Sequence, residues 1–180
     1  MRLANPLSLL IVLGAALGST GAWALPSDRN QPIRVQADSA ELNDKQGVAV
    51  YRGDVVITQG TLKITGDTVT IHQNTQGDLE RFTAVGKLAY YEQQPEAGKA
   101  IVQAYGRTIQ YYASDERVVL IDQAKVIQDG NTFEGEQIVY DPQTQIVNAG
   151  RADDRDVSTP QPRIDMVIQP RKKTPGEQAE

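Results

Sequence analysis

The chain has 180 residues with no cysteine, one histidine, and 18 Lys plus Arg against 23 Asp plus Glu, a formal net charge of −5. Without cysteine, neither a structural disulfide nor a thiolate metal site can form. The acidic balance speaks against nucleic acid as a partner, since such proteins carry a basic face or stripe, and equally against loose adhesion to anionic lipid.

Residues 1–24 read as a cleaved secretory signal. Arg2 precedes an apolar run from Leu7 to Leu17, followed by a polar break and the small-x-small site "AWA" at Ala22 to Ala24. The run is too short for a membrane span, which needs about 20 apolar residues. Cleavage after Ala24 removes Arg2 alone among charged residues, leaving 17 basic against 23 acidic side chains, a net charge of −6. A signal, followed by an acidic body with no second apolar segment, reads as a secreted or periplasmic protein. Residues 25–170 read as one domain and "RKKTPGEQAE", 171–180, as a disordered tail.

After a polar arm, "LPSDRNQ", the chain alternates. Ile33, Val35 and Ala37 fall on one face and Arg34, Gln36 and Asp38 on the other. The same period of two returns at Val48 and Val50, Val55 and Ile57, Leu62 and Ile64, Val69 and Ile71, Ile109 and Tyr111, Ile138 and Tyr140, and Ile164, Met166 and Ile168. Period two with β-branched residues predicts half-buried strands, and no apolar pattern at helical spacing persists over three turns. Turn chemistry punctuates the runs: "NDKQG" at 43–47, "RGD" at 52–54, "QGT" at 59–61, "NTQGD" at 74–78, "QPEAGK" at 94–99, "QDGN" at 128–131 and "DPQT" at 141–144. The chain is all-β, a sandwich, barrel or flattened solenoid of consecutive antiparallel strands.

It also repeats. "ADSAEL" from Ala37, "GDTVTI" from Gly66, "GRTIQY" from Gly106 and "GEQIVY" from Gly135 each place a small residue, a polar residue and a strand start in the same order. Sliding the chain by 69 residues puts Val55, Ile57, Ile64, Val69 and Ile71 onto Ala124, Val126, Phe133, Ile138 and Tyr140, apolar onto apolar, and Gly66 onto Gly135. A stack of like layers follows, each burying its face on the next and leaving two unpaired ends.

The chemistry for catalysis is thin. His72 is the one histidine and sits where a strand gives way to a turn; there is no G-x-S-x-G elbow, no P-loop and no G-x-G-x-x-G. Asp153, Asp154 and Asp156 interleave with Arg151 and Arg155, which suits a solvated loop better than facing carboxylates of a glycosidase. Tyr90, Tyr91, Tyr105, Tyr111, Tyr112 and Tyr140, with Phe82 and Phe133, suit a core and a ligand groove alike. Three function classes stay open on these grounds: a carrier with a greasy interior, a structural or adhesive β-solenoid without a ligand, and a carbohydrate-active enzyme.

"QPIRVQADSAEL" at 31–42, "GDVVITQGTLKITGDTVTI" at 53–71, "GKLAYYEQ" at 86–93, "VVLIDQAKVIQDGNTFEGEQIVYD" at 118–141 and "RIDMVIQP" at 163–170 together resemble the periplasmic lipopolysaccharide-transport proteins of the LptA (OstA-like) family. The resemblance implies a β-jellyroll of stacked antiparallel strands, open like a V and twisted, whose apolar interior shields lipid A acyl chains. It implies a carrier with no catalytic residue, no cofactor and no metal. Such proteins join head to tail with their own kind, accept lipopolysaccharide from an LptC-like inner-membrane partner, and pass it to the N-terminal jellyroll of an LptD-like outer-membrane translocon. Carried onto this chain, it implies a groove lined by Ile33, Val35, Val50, Ile57, Ile64, Val69, Ile71, Tyr91, Ile109, Tyr111, Phe133, Ile138 and Tyr140, and end-to-end joints at Ile33 and Val35 and at Ile164, Met166 and Ile168. One departure is "IDQAKV", where the family more often shows a Gly-Asn turn before the strand.

Overall fold

The structure, a computed structural model, describes residues 28–150 and 163–170. The signal at 1–24, the aspartates at 153, 154 and 156 and the tail at 171–180 lie outside the described residues. After a 3-10 turn at Asp28–Asn30 come β1 (Arg34–Gln36), β2 (Ser39–Asn43), β3 (Val48–Gln59), β4 (Leu62–Gln73), β5 (Leu79–Gln93), β6 (Val102–Tyr112), β7 (Val118–Gln128), β8 (Asn131–Asp141), β9 (Ile146–Gly150) and β10 (Asp165–Val167). β3 to β8 pair consecutively and antiparallel; β1 and β2 both pair with β3, and β9 and β10 both pair with β8.

Each pair of long neighbours breaks register near mid-strand, at Arg52/Val55, Thr65/Thr68, Val85/Ala89, Tyr105/Thr108 and Ile121/Ala124; β4 and β5 do so again at their ends, at His72/Gln73. The mid-strand breaks line up into a corner that folds the sheet into two arms. Tyr91 pairs with Ala104, whereas Tyr111 pairs with Phe82 further along the same strands. Seven residues of β6 separate those rungs, roughly 23 Å in a flat sheet at the usual rise, yet the Tyr91 and Tyr111 rings lie 6.5 Å apart. The arms therefore face each other. β2 and β9 complete the first arm, which carries Val69, Phe82, Tyr111, Leu120 and Ile138. β1 and β10 complete the second, which carries Ile57, Ile64, Tyr91 and Val126.

Glycine at the corner answers to space. A Cβ on Gly66 would stand 3.0 Å from the Val85 carbonyl oxygen and 3.4 Å from the Ala84 methyl. Backbone meets backbone there, so the bend needs a residue without a side chain. In β7 the corner is turned instead by Asp122 and Gln123, both left-handed at φ 60° and 56°. That is the structural form of the "IDQAKV" departure. "RGD" at 52–54, expected as a turn, proves to be this same corner inside β3, with Gly53 and Asp54 at positive φ. The other expected turns join strands as anticipated, and one at 113–117, which lacks Gly and Pro, joins β6 to β7.

The repeat is realised strand for strand. Val55 pairs with Gly66 as Ala124 does with Gly135, and Ile57 pairs with Ile64 as Val126 does with Phe133. β3 and β4 thus correspond to β7 and β8.

Candidate functional site

Inward side chains line up as rungs across the stack. On the second arm one ladder runs Val35, Ile57, Ile64, Tyr91, Ala104, Val126, Phe133, Met166 without a polar interruption. On the first arm a ladder runs Ala40, Tyr51, Val69, Ala84, Ile109, Leu120, Ile138, Ala149, and a parallel one runs Leu42, Ala49, Ile71, Phe82, Tyr111, Val118, Tyr140, Val147. Strand alternation explains this, because directly paired residues share a face and every second residue points inward. The outward rung Arg34, Thr58, Lys63, Glu92, Gln103 is polar by contrast.

The middle of the trough is closed. Ile57, Val69, Phe82, Tyr91, Leu120, Val126, Ile138 and Tyr140 have no exposed surface and belong to one continuous core. Tyr111 stacks on Phe82 at 5.8 Å and reaches Tyr91 across the gap, stitching the arms together. Each fully buried side chain of this size contributes about 1.5–3 kcal/mol. The ends differ: Leu42 on the N-terminal layer, and Ile164, Met166 and Ile168 on the C-terminal one, are exposed, as is Ile33 just before β1.

Of the residues expected to line a groove, Val35, Ile57, Ile64, Val69, Ile71, Tyr91, Ile109, Tyr111, Phe133, Ile138 and Tyr140 do face inward. Val50 does not. It pairs with Glu41 and Thr70 on the outer face, while Ala49 and Tyr51 pack on the core. Counting back from Ile57 and Val55 in steps of two leads to Tyr51 and Ala49, so β3 keeps its inward parity through the corner; the apolar pair Val48 and Val50, read as a run of its own, points the other way. Ala49, Tyr51, Phe82, Ala84 and Leu120 are among the inward residues absent from the expected groove. A bulky side chain opposite an established inward residue was the available signal for Phe82. His72 lies within β4 on its outer face, paired with Val48 and Arg81.

Polar groups meet the core at few places. Burial pushes the Tyr140 hydroxyl up to about 12, aided by the neighbouring Asp141 carboxylate. That hydroxyl has no hydrogen-bond partner among the described residues. Burial likewise raises Tyr91 well above the usual tyrosine range, and its hydroxyl donates to Gln93 Oε1. On the outer face the Tyr90 hydroxyl donates to Glu92 and holds that carboxyl below its ordinary value. Among the described residues no group of three or more His, Asp or Glu side chains gathers as metal ligands would.

The chain is similar to known proteins over most of its length. It is 69% identical over 173 residues to the lipopolysaccharide export system protein LptH of Pseudomonas aeruginosa, spanning 96% of this chain and 99% of that protein. It is 33% identical over 140 residues to the lipopolysaccharide export system protein LptA of Escherichia coli K12, spanning 76% and 75%. The crystal structure of LptH, described as the LptA-homologous periplasmic component of the conserved lipopolysaccharide transport device of Pseudomonas aeruginosa, superimposes with a TM-score of 0.73. It is 70% identical and covers 81% of this chain and all of that one. Residues 34–146 match the family model described as LptA/(LptD N-terminal domain) LPS transport protein. With that match spanning the paired strands from β1 to the start of β9, and with three unbroken apolar ladders between its arms, the chain belongs to the LptA/LptD N-terminal-domain family of lipopolysaccharide transport proteins.

Proposed function

We propose that this protein is a periplasmic lipopolysaccharide carrier, exported by the signal at residues 1–24, that shields acyl chains between its two arms and takes no catalytic part in their movement. The observation that carries the reading is the set of three apolar ladders, which run the whole stack and leave Leu42 exposed at one end and Met166 at the other. A buried methylene gains about 0.8 kcal/mol, so a few acyl chains outweigh repulsion between an acidic protein and a phosphorylated sugar screened over about 8 Å of salt. Layers of like composition give the lipid neighbouring positions of similar affinity, which favours sliding over capture.

The end layers supply the rest. β1 and β2 expose strand edges at one end, β9 and β10 at the other, and strand addition between copies would continue both sheet and ladders. Ile33 and Val35 would meet Ile164, Met166 and Ile168 of the next copy. Partners of the same fold, LptC-like on the inner-membrane side and the N-terminal jellyroll of an LptD-like translocon on the outer side, would extend the row.

Photoreactive residues placed at Ile33 or Tyr111 are expected to crosslink lipopolysaccharide, and one at the outward Arg34 to see none. Crosslinks at Arg34 alone would sink the reading. A structural β-solenoid would have the same packed interior; it predicts end-to-end polymers whose inward labels never capture lipid. Native mass spectrometry of protein released gently from the periplasm reads bound lipid and the oligomer ladder together.

A further inference from the structure

We propose that residues 28–31 form a latch, anchored on the second arm, that covers the mouth of the trough and must leave before an acyl chain can enter. The latch rests on the carrier reading above. Ile57, Tyr91, Leu120 and Ile138 have no exposed surface, so a lipid finds room between the arms only if the arms part. They cannot part at the corner, where Gly66 already brings backbone onto backbone. Opening falls to the opposite side, where the strand tips face each other.

There the N-terminal segment is tied down. The Asp28 carboxylate accepts hydrogen bonds from the Thr61 N–H at 2.8 Å, the Thr61 Oγ1 at 2.6 Å and the Gln93 Nε2 at 2.9 Å. The Gln31 carbonyl accepts one from Gln59 Nε2 at 3.1 Å. Thr61 and Gln93 are at the strand tips of the second arm. Glu116, at the β6–β7 tip of the first arm, lines the same hollow. A Cβ at Gly60, itself at φ +60°, would fall 2.1 Å from Asp28 Oδ1, so glycine leaves the seat open to the acid.

The latch is also wired to the interior. Gln59 and Gln93 are the buried polar side chains among the described residues, and both direct an amide N–H to the segment 28–31. Gln93 turns its other end to the Tyr91 hydroxyl, and Tyr91 is the rung that meets Tyr111 between the arms. Tyr91, Gln93 and Asp28 thus form one hydrogen-bonded chain on the second arm, from the rung that faces Tyr111 to the segment over the mouth. Release strips buried amides of an acceptor, which opposes spontaneous opening. A lipid whose polar head carries hydroxyl and phosphoryl oxygens can take over those donors as its chains enter below.

The chain has no cysteine, so the pair Asp28→Cys with Thr61→Cys can form one disulfide only. With a photoreactive phenylalanine derivative at position Tyr111 and purified lipopolysaccharide as probe, the oxidised protein is expected to capture at least tenfold less lipid than the same protein after dithiothreitol. Asp28→Ala, which needs no disulfide and decides alone if the pair fails to fold, is expected to capture lipid severalfold faster than the unaltered chain. Equal capture by oxidised and reduced protein, or an unchanged rate in Asp28→Ala, overturns the latch and leaves the carrier reading standing. No capture by any form overturns the carrier reading and the latch with it.

Discussion

The middle of the stack and its two ends use the same alternating sequence and reach opposite states. In the middle, one strand serves both arms: β4 gives Ile64 to the second arm and Val69 to the first, with Gly66 at the bend between them. At each end the two arms are closed off by separate short strands, β1 and β2 on β3, and β9 and β10 on β8. Side chains in the middle are sealed, whereas Leu42 is 65% exposed and Ile168 69%. A continuous strand ties the arms to a common register and squeezes the space between them. Split strands leave each arm an open edge whose N–H and C=O groups can accept another strand. Closure and growth are thus assigned to different layers of one repeating design.

Substitutions should separate the two regions by size of effect. The largest belongs to the sealed middle. Phe82→Ala removes a side chain with no exposed surface that stacks on Tyr111. It should cost about 3–5 kcal/mol, read as a lower denaturant midpoint at unchanged slope. A loss under about 1 kcal/mol would mean that the middle is as loose as the ends.

Next comes the corner. Gly66→Ala pushes a methyl to 3.0 Å from the Val85 carbonyl, and overpacking of this kind costs about 1–3 kcal/mol. Gly150 lies on the last first-arm strand with open space where a methyl would stand, and should accept alanine within about 0.5 kcal/mol. Comparable losses at the two sites would remove the corner as a source of strain.

The middle also carries a pH signature that the ends lack. Tyr140 is raised from 10.0 to about 12, and Tyr91 is raised well above its ordinary value by the same burial. The folded state therefore favours the protonated phenols, and their contribution is fully present below pH 10. It drains away as pH climbs above 10, through about 12 for Tyr140, by at most about 1.4 kcal/mol per phenol for each pH unit crossed. Alkaline melts followed by circular dichroism should show this loss, and Tyr140→Phe should blunt it. At neutral pH that change also removes a buried hydroxyl with no partner among the described residues, so stability should hold or rise by about 1 kcal/mol. A clear fall would show that the hydroxyl has a partner.

How much of this could be read from the sequence follows from the same contrast. Strands and the four-strand repeat were legible because burial of one face forces period two, and because Val55 to Ile71 and Ala124 to Tyr140 occupy matching layers. The corner was half legible. Gly66, Gly106 and Gly135 stood out as starts of new runs, and they do start the second limb of a strand, yet nothing local says that the chain bends there without reversing. Arg52 to Asp54 shows the consequence: taken as a turn, it conceals that one strand runs from Ala49 and Tyr51 on to Val55 and Ile57 with a single alternation, so that Val48 and Val50 pass for an inward run of their own. Asp122 and Gln123 adopt positive φ without glycine, so only their place opposite Gly106 and Gly135 marks them as corner residues. The contacts of Asp28 with Thr61 and Gln93 were not legible at all. They join positions 33 and 65 residues apart through polar side chains that follow no period.

The smallest effect on stability should come from the ends, and there it sharpens the contrast most. Met166 continues the ladder beyond Phe133 but is 51% exposed, on a three-residue strand held to β8 alone. Met166→Asp gives up little packing, so the monomer's melt should move by less than about 1 kcal/mol. In an end-to-end joint the same carboxylate would be buried against Ile33 and Val35 of the next copy without a partner charge, which strongly opposes association. Sedimentation over a concentration series should then show a ladder of oligomers for the unaltered chain and a single species for Met166→Asp. Val167→Asp, on the outward side of the same strand and 49% exposed, controls for charge added to the edge and should keep most of the ladder. If both variants lose it equally, edge charge governs association and the inward ladder does not continue from copy to copy. If neither does, the C-terminal layer is not the joint.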